Sequence, residues 1–223
     1  MTRRTYKQDC PLANALDLVG ERWTLLIIRN LFLGPKRFSD LVRGLPGLGT
    51  NILTARLKKL EENGLIQSRF LPPPAASSVY ELTPYGRSLE DVMIALALWG
   101  AQSLGAPKAG QVFSTEAVAL MLYMLFTPAV TSNLSGIFEV KIESELFNAN
   151  FWVKVHDTFI TVEQEAPGTP NLTLHADLIT LGSLATSHVS YKEAVAKDLL
   201  HLDGSEAEIA SFLASYRVKI SSE

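Results

Sequence analysis

Between residues 50 and 62 the chain reads TNILTARLKKLEE, and its polar side chains recur at helical spacing. Thr50, Asn51 and Thr54 carry groups that both donate and accept hydrogen bonds, and Lys58 and Lys59 add fixed positive charge. The chemistry open to such a set is noncovalent: amide and hydroxyl groups match base edges, and ammonium groups match phosphate oxygens. Bond-making sets are not found. The four histidines, at 156, 175, 188 and 201, are scattered without metal-ligand spacing. There is no phosphate-cradling glycine loop and no Gly-x-Ser-x-Gly elbow. A nucleophile, a base and an oxyanion donor cannot be assembled from nearby positions, so we expect no enzyme, no cofactor and no metal. The run HLDGSE, with His201, Asp203 and Glu206, reads as a solvated turn after a helix.

The element that must carry residues 50–62 is a helix whose Leu53, Leu57 and Leu60 fall at i, i+4 and i+7 and form a core stripe. At 100° per residue Asn51, Ala55, Lys58 and Glu62 point the other way, flanked by Thr54 and Lys59. Taken alone, that face also fits a solvated surface helix. The surroundings narrow the choice. Pro11 suits a helix start, and Leu12, Ala15, Leu16 and Val19 line one side until Gly20. Trp23, Leu26, Ile27 and Leu31 repeat the spacing up to Gly34-Pro35, and Ser39 is placed to cap a short helix carrying Leu41 and Val42. A Leu-Pro-Gly-Leu-Gly turn leads into residues 50–62. Strand-like residues 65–71 and 79–82 then flank a proline-rich tip. The order is helix, turn, helix, two-stranded wing. In that arrangement Thr50, Asn51, Thr54 and Ala55 can approach base edges in a major groove, with Ser39 at the start of the preceding helix. Arg37, Lys58, Lys59 and Arg69 can neutralise phosphates.

The stretch CPLANALDLVGERWTLLIIRNLFLGPKRFSDLVRGLPGLGTNILTARLKKLEENGLI, followed by YELTPYGRSL, resembles the HxlR-type winged helix-turn-helix transcription regulators over roughly residues 10–100. The resemblance implies a homodimer on an inverted repeat of double-stranded DNA, with the 50–63 helix as reader. It further implies that the N-terminal helix and the helix of residues 88–100, spaced by Leu89, Val92, Met93, Leu96 and Trp99, pair across the dimer axis. Two-fold symmetry would then set the readers about one DNA turn, roughly 34–36 Å, apart. Two departures stand out. Ala55 occupies a position where members often carry a polar residue. The wing tip, PPPAASS, offers Ser77 and Ser78 where members tend to carry a cation for the minor groove. Cys10 lies where some members sense oxidants or electrophiles. It sits ahead of a helix and near Arg3, Arg4 and Lys7 in sequence; its other reading is an inert, packed cysteine.

Net charge is unevenly placed. Residues 1–107 carry 13 Lys and Arg against 9 Asp and Glu, a net +4, while residues 108–223 are net −7. Only the first half is suited to phosphates. No apolar run reaches the ~18 residues of a membrane span, and the N-terminus lacks an apolar stretch like a secretion signal. With one cysteine no disulfide can form within one chain. We therefore expect a cytoplasmic protein without membrane contact.

Residues 103–111, SLGAPKAGQ, read as a linker between a domain of residues 1–104 and a second of residues 112–223. In the second, Phe138, Val140 and Ile142, then Phe151, Val153 and Val155, alternate with polar neighbours, and Ile160, Val162, Leu172 and Leu174 continue the apolar face. This predicts an antiparallel sheet covered on one face by helices at 117–126, 178–187, 191–200 and 208–216. Trp152 and Phe159 fall on the other face and invite docking on the first domain or a second subunit. The fold class is α+β. The second half is similar to the sterol-carrier-protein-like fold over about residues 112–218, in its strand-rich centre and in LTLHADLITLGSLATSHVSYKEAVAKDLLHLDGSEAEIASFLASY. That resemblance implies a tunnel for a small apolar ligand. Met121, Met124, Leu125, Phe126, Phe138, Phe151 and Leu184 would line it, or equally form a filled core. A second reading makes the protein a lipid or small-molecule carrier that uses its helix-turn-helix only to dimerise.

Overall fold

The computed structural model describes residues 5–73, 76–103, 114–131, 134–144, 147–156, 159–186 and 188–215; the side chains of residues 127–131 and 159 are not described. The chain forms two compact units, Met1–Gly100 and Ala101–Glu223. Most of the predicted linker lies outside the described residues.

In the first unit α1 (Pro11–Val19) starts on its proline and α2 (Thr24–Phe32) starts after Trp23, which takes a left-handed φ of 78°. Leu26 turns outward and Ile28 inward, so the buried stripe of α2 is Ile27, Ile28 and Leu31 rather than the expected spacing from Trp23. Ser39 does not cap the next helix. α3 (Phe38–Gly44) begins two residues earlier than a Ser39 cap implies, with Arg37 as its N-cap residue and the Asp40 carboxylate accepting the Arg37 N–H at 3.0 Å. Asp40 thus stands at the third helical position and reaches back to the N-cap N–H, the carboxylate half of a capping box, which fixes the start ahead of Ser39.

Helix α4 (Thr50–Glu62) presents Leu53, Leu57 and Leu60 to a core shared with Ile27, Ile28, Leu31, Leu41, Leu45 and Leu48. Gly64, at φ +69°, ends it: the Leu65 N–H reaches Leu60 O at 2.9 Å and the Gly64 N–H reaches Glu61 O at 3.0 Å. A left-handed residue is needed there, and glycine adopts it without a Cβ clash. The chain then enters β1 (Ile66–Leu71), which pairs antiparallel with β2 (Ser77–Leu82) from Ile66↔Leu82 to Leu71↔Ser77. Lys36 adds a bridge the sequence did not announce: its N–H and C=O bond Tyr80 at 2.9 and 2.8 Å, tying the entry of α3 to the wing.

The turn α5 (Pro84–Arg87) follows. Its cap Thr83 donates from Oγ1 to Gly64 O at 2.6 Å and accepts the Gly86 N–H at 3.1 Å. A Cβ at Gly86 would lie 1.9 Å from Leu65 O, so the Leu-Thr-x-x-Gly stretch packs backbone on backbone over the end of α4. Helix α6 (Glu90–Ala101) buries Met93 but leaves Val92, Leu96, Leu98 and Trp99 exposed.

The second unit opens with α7 (Thr115–Thr131), longer than the predicted 117–126. Strands β3 (Gly136–Ile142), β4 (Ala149–His156), β5 (Phe159–Glu163), β6 (Leu172–Ala176) and β7 (Leu200–Asp203) form a sheet ordered β5-β4-β3-β6-β7 among the described residues. The expected burial alternation is present in Phe138, Val140, Ile142, Phe151, Val153 and Val155. The sheet is mixed, however, because β6 runs parallel to β3. Alternation determines which face a residue takes, not strand direction. At the start of the parallel pair the Asn171 N–H bonds Ile137 O at 2.7 Å and its side-chain oxygen accepts the Ile137 N–H at 2.8 Å.

Helix α8 (Leu178–Ala185) is capped by Asp177, whose Oδ1 accepts the Thr180 N–H at 2.6 Å. The helix expected over 191–200 stops early: α9 (Tyr191–Ala196) ends where Asp198 turns left-handed, at φ 60°, and Leu199 N–H closes on Ala194 O at 2.9 Å. The chain is thereby freed to form β7, so His201 and Asp203 lie on a strand rather than in a solvated turn. Helix α10 (Glu206–Ser215) closes the unit and buries Phe212. Helix α7 packs against α8, α10, β4 and β5.

Candidate nucleic-acid interface

Helix α4 is one-sided. Thr50, Asn51, Thr54, Ala55 and Lys58 are exposed, Lys59 is half-buried, and the three leucines opposite are nearly solvent-free. Its N-cap is Gly49, so no side chain covers the first turn, which also carries no acidic residue. Uncapped N–H groups and the positive end of the helix dipole favour an anion there. Thr54 Oγ1 donates to Thr50 O at 2.9 Å, which leaves its lone pairs facing outward. Ile52, at 45% exposed, is a further apolar group on the flank that the spacing argument passed over.

Two contacts hold α4 in place. Arg56 Nη2 lies 2.9 Å from Glu21 Oε2, linking the helix to the turn between α1 and α2. Ser68 donates from N and Oγ to Glu61 Oε1 at 3.1 and 2.9 Å, which sets the wing beside the last turn of α4. Neither partner could be read from local spacing, since the pairs are 35 and 7 residues apart. Trp23 reaches the turn before α4, its ring edge standing 3.9 Å from where a Cβ on Gly47 would be.

The predicted cations differ in what they touch. Lys58 is exposed, while Lys59 lies 3.7 Å from Glu62. Arg37 and Ser39 are exposed at the start of α3. Arg69 is engaged: Nε lies 3.1 Å from both oxygens of Glu81 and Nη2 lies 2.9 Å from Oε2. This fork raises the Arg69 pKa and, with the Gln67 amide, holds the Glu81 carboxyl below the usual carboxylate range. A phosphate would have to displace Glu81. On the wing Ser78 is exposed, while Ser77 is half-buried and its hydroxyl has no hydrogen-bond partner among the described residues.

A profile of the HxlR-like helix-turn-helix family matches residues 18–107. The HTH-type transcriptional regulator YodB of Bacillus subtilis (strain 168) is 36% identical over 94 residues, which are 42% of this chain and 84% of that one. The chain belongs to the HxlR-like family. An "Uncharacterized HTH-type transcriptional regulator sll1512" of Synechocystis sp. (strain ATCC 27184 / PCC 6803 / Kazusa) is 37% identical over 95 residues, covering 43% of this chain and 70% of its own. The solved structure of reduced YodB from B. subtilis is 33% identical, covers 45% of this chain and 100% of that chain, and has a TM-score of 0.39.

Within the HxlR-like unit, exposed apolar side chains gather on two helices: Leu12 and Leu16 on α1, and Val92, Leu96 and Trp99 on α6. Cys10 is the N-cap of α1, half-buried, and makes no side-chain cap hydrogen bond. Arg3 and Arg4, which the sequence reading set beside it, lie outside the described residues.

In the second unit the seven residues named for an apolar tunnel divide. Leu125, Phe126, Phe138, Phe151 and Leu184 are buried, whereas Met121 and Met124 are half-buried, off the α7 stripe formed by Val118, Leu122 and Leu125. Phe126 and Phe138 meet at 5.3 Å between ring centres, and Phe212 lies 6.0 and 5.7 Å from them, with Tyr191 edge-on to it at 5.3 Å. Phe212 and Tyr191 were missed because they fall on α9 and α10, where no alternation marks the sheet-facing side. The side chain of Phe159 is not described, and Trp152 is half-buried on the outer sheet face between Glu139 and Glu163.

Proposed function

We propose that this chain is a DNA-binding transcription regulator that grips an inverted-repeat operator as a homodimer, with α4 in the major groove. The observation that carries the reading is the one-sided α4: three buried leucines against an uncapped, exposed start bearing Thr50, Asn51, Thr54 and Ala55. In this reading Asn51 and Thr54 meet base edges, Ala55 offers only apolar contact, and Lys58, Lys59 and Arg37 neutralise phosphates. The exposed apolar residues of α1 and α6 form the subunit contact.

The C-terminal unit, in this proposal, is sterol-carrier-like and takes a small apolar effector among the side chains between α7, α8 and the sheet. An effector acts on DNA binding only if its affinity differs between the DNA-competent and incompetent arrangements. Support comes from the apolar packing of α7 against α8 and against β4 and β5.

The test is a duplex selected from random DNA by the full chain, titrated by fluorescence anisotropy at several salt concentrations. Lys58→Ala should weaken binding to all sequences and flatten the salt dependence by about 0.9 logarithmic units per protomer. Asn51→Ala should in addition relax base preference. Retention of full specificity by Asn51→Ala would remove the reader assignment. Native mass spectrometry of the fresh protein reports subunit count and any retained apolar molecule. A chain that holds such a molecule but binds no DNA at low salt would be a carrier instead.

A further inference from the structure

The wing carries an aromatic side chain that the phosphate and base contacts leave unexplained. Phe70 is 64% exposed on β1, one residue beyond Arg69 and directly across from Ser78. Successive strand residues face opposite sides, so Ser68 and Phe70 share a face. Ser68 is bound to Glu61 at the end of α4, and Phe70 stands two residues, about 7 Å, further out along the same side. The positive charge of the wing strands is engaged internally, because Arg69 is forked onto Glu81. Nearer the tip the described residues carry no cation: Leu71, Pro72 and Pro73 lead out, and Ala76, Ser77 and Ser78 lead back.

A wing without free charge but with a projecting ring is suited to a different part of the duplex. Apolar side chains enter the minor groove and press on sugars or between base steps, where no counterion needs to be released. Resting on the proposal that α4 binds DNA, we infer that Phe70 is the wing's contact, seated against the minor groove next to the major groove that α4 occupies. The Ser68–Glu61 bond makes this surface continuous with the reader helix. The contact adds affinity that salt does not screen, in contrast to that of Lys58.

The experiment compares the full-length wild type with Phe70→Ala and Phe70→Leu on a duplex selected by the wild-type chain, across a salt series. Phe70→Ala should bind about tenfold more weakly at every salt concentration, with an unchanged slope, from loss of one buried aromatic contact. Phe70→Leu should recover part of the affinity, since it keeps most of the apolar surface. A 2-aminopurine placed beside the selected site should brighten on wild-type binding and less so with Phe70→Ala. Equal affinity of wild type and Phe70→Ala overturns the inference while leaving the reader assignment intact. Absence of wild-type binding to any duplex overturns both. A Phe70→Ala protein that has lost its subunit mass in sedimentation also overturns it, because the ring would then serve a protein contact.

Discussion

Arg69 and Glu81 meet across the two wing strands on one face, diagonally offset by two residues, since Arg69 pairs with Val79, and are joined at 2.9 Å. The pair offsets the positive charge of Arg69 on the wing. Glu81→Gln should keep a hydrogen bond to the wing but release that charge. DNA affinity should rise, and the salt dependence should steepen by about 0.9 per protomer as Arg69 gains a phosphate. No change in slope would mean that Arg69 does not reach the backbone. The same pair has a pH signature. Glu81 is held below its unfolded value, so its contribution to stability is full above the ordinary carboxylate range and fades as pH falls through the lowered value. The pair lies at the surface, where screening keeps that contribution small.

The apolar stripe of α6 gives a second expectation. Trp99 is 72% exposed and Val92 59% exposed, at positions that share one side of the helix with Leu96. On the proposed homodimer, Trp99→Glu, tested at micromolar concentration by sedimentation velocity, should shift the protein toward monomer, and DNA affinity should fall with it. A large buried aromatic at a subunit contact is worth about 2 kcal/mol or more. A dimer unaffected by Trp99→Glu would place the contact elsewhere.

Phe212 gives a third. It is fully buried against Phe126, Phe138 and Tyr191. Phe212→Ala should cost the C-terminal unit about 3–5 kcal/mol in urea unfolding. DNA binding by the first unit should persist where the second unit has already melted. A stability change below about 1 kcal/mol would mean that the ring is not packed as described.

The first unit was largely legible because its signals are local. Leu53, Leu57 and Leu60 mark a face through spacing alone, and the Gly64 helix end shows as a glycine after charged residues. What escaped was set by partners far along the chain. Arg56 meets Glu21, Lys36 pairs with Tyr80, and Arg69 is claimed by Glu81. None of these leaves a trace in periodicity, and the last changes what a predicted phosphate contact can do. In the second unit Phe138, Val140 and Phe151 gave the sheet face but not its parallel β3–β6 pairing, which joins strands 34 residues apart and leaves no mark on alternation. The early stop of α9 rests on Asp198 taking a left-handed conformation. Non-glycine residues rarely do this, and although aspartate is among those that do so most readily, one Asp inside a helix-forming run is too weak a signal to place a helix end.

The contact of Gly86 with Leu65 O leaves no room even for a methyl group. The joint between the end of α4 and the segment that launches α6 is therefore incompressible. A tilt of α6 is passed to the end of α4, and the wing, tied to the same body through the Lys36–Tyr80 backbone bonds and buried Ile66 and Val79, is carried with it.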